Sequence, residues 1–373
     1  MLKKPKIKSN FLNFLRENNG KIALGGLVSL GGGIFAAKFG KAGKWGKKPN
    51  ISHDAKNFSM NERIKAFDAS FESDRKAYNQ GIVDLMVKNN AVKEELVKKV
   101  PSTVQKNGLV KILTQDEFDR VPLEKQDDCL NAYKKLLAIE DDAEYRRKIF
   151  MNAQKEEKIQ LFKEMFPSTN PYNRLFADAV MKDLKLDPQD QKAISEVVGG
   201  ILDHNKVNMK GVKITLEKRV VEKPVSVGGS GWYAKDHIGV RLYVNDKKDF
   251  ATLLHEWGHL IEGITAKNWM VQNGKYQKVS NVYNGLGDRI KDYYAKNSGK
   301  KDIALSGMDM GGLATGKFYR TLPIKTPTKY SGRGYDSGNT ELISTFLEYL
   351  FADPGHLSKE YPDFFNLIMG AMR

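Results

Sequence analysis

The chain reads as an α+β protein in which a helical N-terminal region is followed by a small sheet, a helix carrying two histidines, and further C-terminal helices. Three observations predict this. Apolar residues recur at helical intervals through most of 59–166, the texture turns to strand-like alternation between about 212 and 244, and an amphipathic stretch at 249–263 sets His255 and His259 one turn apart. The 373 residues, 40% hydrophobic and 10% aromatic, can bury a sizeable core in two or more domains. The expected division is 1–48, a basic and apolar segment; 49–204, mainly helical; and 205–373, where sheet and histidine helix lie.

The first segment holds most of the net charge of +16: Met1 to Lys48 carries eleven Lys/Arg and one acid, Glu17. Between those charges, Ile22 to Ala37 is uncharged over sixteen residues and includes five glycines. That is short of the roughly 20 residues a membrane-spanning helix needs, and glycine weakens its helicity. Three readings compete: a secretory signal, for which the 21 residues ahead of the apolar run are long; an uncleaved membrane anchor or membrane-active segment; and a basic arm for nucleic acid or anionic lipid. The last two are favoured over cleavage.

From Ser59 to Val100 the apolar positions Ile64, Phe67, Phe71, Tyr78, Ile82 and Leu85 lie among many charges, which predicts long amphipathic helices. Pro101 and Asn107-Gly108 interrupt them, and a second helical block runs from about Gln115 to Phe166, closed by Pro167 to Pro171. A scaffold with solvated charged faces is the expected role, with no catalytic constellation. The single cysteine, Cys129, excludes an intrachain disulfide and a cysteine-built metal site; packing or surface placement is expected of it. A short helix is expected near Gln191 to Leu202.

Val212 to Val221 and Trp232 to Val244 read as two strands joined through a turn at Gly228 to Gly231. His237, at the start of the second, is expected to be a polar residue at a strand edge rather than a metal ligand.

The next run gives the chain its chemistry. Asp249 is a candidate N-cap, Phe250, Leu253, Leu254, Trp257 and Ile261 form an apolar stripe, and Gly263 is a candidate stop. Beside the stripe stands His255-Glu256-Trp257-Gly258-His259, an HExxH motif: two imidazoles that can grip one ion, and a carboxylate placed to take a proton from water on that ion. This predicts a zinc-dependent peptidase. Two strands leading into such a helix match the usual layout of a zincin-type catalytic domain, in which the strand around Ile238 to Val244 would offer its open edge to an extended peptide.

A catalytic zinc needs a third protein ligand and an open position. Glu262 and Thr265 stand where a metzincin carries Gly and His, and 277–281 holds no acid at the thermolysin-like spacing. Glu341 is the better candidate, at the start of a helical pattern running from Thr340 with Leu342, Ile343, Phe346, Leu347 and Leu350 on its apolar side. Asn339 is a candidate cap, and Asp353-Pro354-Gly355 ends the pattern. A glutamate opening an otherwise buried helix needs a partner, and a metal ion is one; a helix-dipole role is the other reading.

The HEWGH helix, the Tyr335…Asn339…Glu341 approach to the helix ending near Phe351, and the closing run Tyr361 to Ile368 together resemble gluzincin zinc peptidases related to the anthrax lethal factor catalytic domain, relatives of which occur in bacteriophage-encoded proteins. The resemblance covers about 205–373. It implies Zn²⁺ held by His255, His259 and Glu341, Glu256 as general base, and Tyr335 as the phenol that stabilises the oxyanion, with Tyr330 as the alternative. Two departures accompany it: the tyrosine-to-glutamate interval is one residue shorter, and Thr345 stands where a second glutamate is expected. The implied partners are a protein or peptide substrate and virion proteins, with DNA or an anionic membrane for the basic segment. The place of action would be the virion or host cytoplasm, with membrane contact through 22–37. Two other readings are a structural or DNA-delivery phage protein with a vestigial zincin fold, and a delivered toxin protease.

Overall fold

The computed structural model describes residues 60–99, 105–106, 109–111, 118–182, 186–211, 213–216, 229–234, 237–242, 250–266, 271–272, 275–276, 283–305, 313–335 and 339–372. The basic segment, its apolar run at 22–37 and the cap assigned to Asp249 lie outside them. Helix dominates what is described, more than the expected mixture of helix and sheet implied.

The helical region begins with α1 (Met60–Lys99), followed by α2 (Leu123–Asn152), α3 (Lys155–Met165), α4 (Pro171–Met181) and α5 (Pro188–His204). α1 and α2 run antiparallel. Phe71 and Tyr78 pack on Phe150, Ile82 and Leu85 on Ala143, and Glu95 pairs with Lys135. The block expected over 115–166 is two helices, because the backbone turns at Ala153 and at Gln154, which has φ 51. Where sequence reading placed only a proline-rich break, Asn170 caps α4 by accepting the Tyr172 amide, and Pro171 occupies its first turn. Cys129 is buried on α2, and burial pushes its thiol up to about 11, which suits packing.

Short strands follow. β1 (Gln105–Lys106) and β2 (Leu109–Lys111) precede α2; β3 (Lys213–Leu216), β4 (Gly229–Ala234) and β5 (His237–Leu242) lie between α5 and the histidine helix. The stretch read as one strand from Trp232 is therefore a hairpin, and Gly229 to Gly231 belong to β4 instead of a turn. β5 is central: it pairs antiparallel with β4 and parallel with β3. Among the described residues it is paired on both sides over His237–Val240, so the expectation that the strand around Ile238 offers an open edge is corrected there; β4 pairs only with β5 among the described residues. His237 opens β5 between Lys213 and Ala234 in register.

The histidine helix α6 (Phe250–Ile264) extends through Gly263, which does not stop it. After β6 (Val271–Gln272), β7 (Lys275–Tyr276), α7 (Leu286–Asn297), β8 (Lys301–Leu305) and β9 (Leu313–Arg320), a 3₁₀ turn at Lys329–Gly332 leads to α8 (Leu342–Ala352), α9 (Pro354–Glu360) and α10 (Pro362–Ala371). β9 joins β8 antiparallel and β2 parallel in a four-stranded sheet, and β6 pairs with β7. Asn339 does not cap α8. Glu341 occupies the cap position without using its side chain there, and the Thr340 hydroxyl accepts the Leu342 amide. Asp353 closes α8 as expected, and its carboxylate accepts the His356 amide to open α9.

One hydrophobic cluster collects Phe71 of α1, Phe150 of α2, Phe162 of α3, Val197 of α5, Trp257 of α6, Phe346 and Phe351 of α8 and Phe364 of α10. Arg75 of α1 grips Asp353 with two bonds, 2.5 and 2.7 Å, at the α8–α9 junction. Among the described residues no helix is long and apolar enough to cross a membrane.

Candidate metal centre

The centre is built on the antiparallel crossing of α6 and α8. Four pairs align along it: His255 with Glu348, Gly258 with Ser344, His259 with Glu341, and Glu262 with Thr340. Two residues inside the HEWGH motif make the crossing possible. Gly258 lets the helices touch, because a Cβ there would lie 2.4 Å from Ser344 Cα and 2.6 Å from its amide nitrogen. Trp257 points the other way, fully buried, with its ring edge-on to Phe176 of α4 at 5.9 Å and its indole N–H 3.2 Å from Met181 Sδ. Below the histidines, Glu262 accepts the Thr340 amide at 2.8 Å and its hydroxyl at 3.0 Å, which fixes the residue just ahead of Glu341.

His255, His259 and Glu341 each offer a ligand atom, and these atoms all lie within 4.8 Å of one another, so the group could hold a metal ion. Glu341 Oε2 lies 3.3 Å from His255 Nε2 and 3.0 Å from His259 Nε2. Glu341 is wholly buried, while the side chains of His255 and His259 keep 11% and 8% of their surface exposed. Ser344 donates to Glu341 Oε2 at 2.9 Å, and the Tyr335 hydroxyl donates to Oε1.

Tyr335 reaches that position because 333–335 lies against 339–341. The Tyr335 amide donates to Asn339 O and the Glu341 amide to Arg333 O, with a bridge between Gly334 and Thr340. The Arg333 guanidinium lies over the Tyr335 ring at 4.4 Å and donates to the Tyr330 hydroxyl at 3.1 Å. Tyr330 stacks near His255, ring centres 6.1 Å apart. Tyr330 and Tyr335 therefore both border the histidines, and the Tyr335 hydroxyl bonds Glu341.

The electrostatics fit a cation. Burial disfavours charge on Glu341, but the imidazoles of His259 and His255 outweigh it and hold the carboxyl well below the usual range. Burial likewise opposes the imidazolium of His255, yet hydrogen bonds to Glu341 and Glu348 hold it well above its ordinary value; His259 is raised too, against burial, by Glu341. A field that keeps protons on two buried imidazoles also favours a divalent ion in their place. Two nitrogens and a carboxylate oxygen suit a borderline metal, and no thiol is near.

Glu256 differs from the other acids. It is 3% exposed, its Oε1 lies 4.0 Å from His255 Nε2, and its Oε2 has no hydrogen-bond partner. Burial pushes its carboxyl up to about 7 against the pull of the two histidines.

Sequence reading missed three contributors: Glu348, whose Oε2 lies 3.0 Å from His255 Nδ1; Arg147 of α2, which donates to Glu348 Oε1; and the Glu262–Thr340 clip. Glu348 follows Glu341 by seven residues, two turns along the same helix, and that spacing was the available signal. Arg147 left none, standing 201 residues away in a charged helix. Thr345, at the place of an expected second glutamate, is buried, and the contact to the His255 imidazole is made by Glu348. The chain has no match among models of protein families, curated proteins or solved structures.

Proposed function

We propose that this chain is a zinc-dependent endopeptidase in which His255, His259 and Glu341 hold the ion and Glu256 is the general base. The observation that carries the reading is the Glu256 carboxyl: buried, without a partner on Oε2, raised to about 7, and adjacent to a three-donor cluster. A purely structural site gains nothing from an orphaned carboxylate, which costs free energy to bury. When bound, zinc supplies Lewis acidity that makes water nucleophilic toward a peptide carbonyl near neutral pH. Glu256 takes the proton from that water at Oε2 and returns it to the leaving amine. Tyr335 releases its bond to Glu341 and donates to the oxygen on which negative charge develops, with Arg333 beneath its ring holding it in place. Glu262, through Thr340, keeps Glu341 at the start of α8.

On this reading the second half of the chain is a zincin-type domain that resembles the gluzincins related to anthrax lethal factor, and its substrate is a protein or peptide. Wild-type protein is expected to retain about one zinc per chain after purification, and Glu341→Ala to lose it. Glu256→Gln should keep the metal and lose cleavage of an unfolded protein substrate by on the order of 10²–10⁴, whereas His259→Ala should lose both. Full activity in the Glu256 variant would end the peptidase claim.

A further inference from the structure

We propose that Arg147, from the helical region that precedes the sheet, is a positioning residue of the metal centre: it holds Glu348, and Glu348 fixes the His255 ring with Nε2 turned toward the ion. This rests on reading His255, His259 and Glu341 as metal ligands. A ligating imidazole needs its second nitrogen tied, since that tie sets both the tautomer and the ring plane. Glu348 provides it through Oε2, 3.0 Å from His255 Nδ1. Its other oxygen is taken by the Arg147 guanidinium, and the two side chains retain 3% exposure each.

A carboxylate buried to that degree needs a cation to hold its charge and its direction. Glu348 sits on α8, two turns beyond Glu341, where its own helix offers no cation. Arg147 enters from α2, 201 residues away, and meets it across the helix packing. The chain Arg147–Glu348–His255 thus runs from α2 through α8 to α6, all inside the protein. It makes the region read from sequence as a scaffold without catalytic residues a contributor to ligand geometry.

A buried ion pair can also be a simple tie between helices, and the two roles separate experimentally. Exchanging such a pair for apolar side chains of similar volume commonly preserves the fold. The Arg147→Met/Glu348→Met double variant of the full-length chain should therefore keep its circular dichroism while its zinc dissociation constant, measured by chelator competition, rises about 10–100-fold. The visible spectrum of its Co²⁺ form should change as well, since the His255 ring is no longer held. Arg147→Lys, which keeps the charge and loses the planar fork, should weaken zinc binding less. Wild-type zinc affinity and an unchanged cobalt spectrum in the folded double variant would overturn the proposal. If the double variant does not fold, Arg147→Lys decides, with wild-type affinity and spectrum overturning it. A wild-type chain that binds neither ion would instead remove the ligand assignment beneath it, a different failure from a wild type that binds and a double variant that binds equally well.

Discussion

At Gly258 the demand is for the absence of a side chain. A Cβ would meet the backbone of Ser344 at 2.4 and 2.6 Å, and a backbone cannot rotate aside as a side-chain tip can. Gly258→Ala must separate α6 from α8, and the 3.0–3.3 Å spacing between the imidazoles and Glu341 lies on that same crossing. The variant should lose about 1–3 kcal/mol in urea denaturation and bind zinc more weakly, although no ligand is altered; unchanged zinc affinity would show that the crossing tolerates the shift. The three motif positions His255, Glu256 and His259 were legible in the sequence because their chemistry depends on spacing along one helix. Glu341 was legible because a carboxylate at the head of an apolar helix needs explaining. Glu348, Ser344 and Thr340 were not, because which residue faces which across a helix pair depends on its direction and closeness, and Gly258 sets the latter without announcing it. Asn339 was misassigned as cap for a related reason: side-chain type suggested it, but the bridge between Gly334 and Thr340 starts the helix later.

Lys158 illustrates how an element can be read correctly and its orientation missed. In a run of charges on α3 it looks solvated, yet it is 1% exposed. Its ammonium donates to Phe150 O at 3.1 Å and Met151 O at 3.2 Å, carbonyls of the last turn of α2, and lies 4.2 Å from the Phe71 ring centre. A cation at a helix C-terminus is favourable, and these bonds close the turn that separates α2 from α3. Burial nevertheless pulls its pKa down to about 7, against the attraction of Asp353 and Asp74. In the unfolded chain the value returns to about 10.4. Between those values the unfolded state binds more protons than the native one, so stability rises with pH across that window and levels off below pH 7. Wild-type stability should climb by about 2 kcal/mol from pH 7 to 9 relative to Lys158→Met, whose curve lacks this contribution. Parallel curves for the two proteins in urea titrations would mean that the buried ammonium is not destabilised in the native state.

Across the whole molecule, the change from helical to alternating texture near residue 205 marks a real change of element type, and the core crosses it. Phe162 of α3 packs edge-on to Phe351 of α8 at 5.7 Å, Phe176 of α4 meets Trp257 of α6, Arg75 of α1 grips Asp353, and Arg147 of α2 meets Glu348. Sequence pattern predicts which face of each helix is apolar, but not which faces find each other, so a boundary in texture was visible where continuity of packing was not. The consequence concerns how much of the chain the metal centre needs. A fragment beginning at 205 keeps His255, His259, Glu341, Glu256 and Tyr335, yet it exposes Trp257 and Phe351 and leaves Glu348 and Asp353 without their arginines. Uncovered aromatic surface and unpaired buried carboxylates are each severe costs for a small domain. The fragment should therefore show helical far-UV dichroism with weak near-UV signal, bind a hydrophobic dye and hold zinc far less tightly than the full chain. A cooperative unfolding transition together with full-chain zinc affinity in that fragment would show that α1 to α5 lie against the metal centre without supporting it.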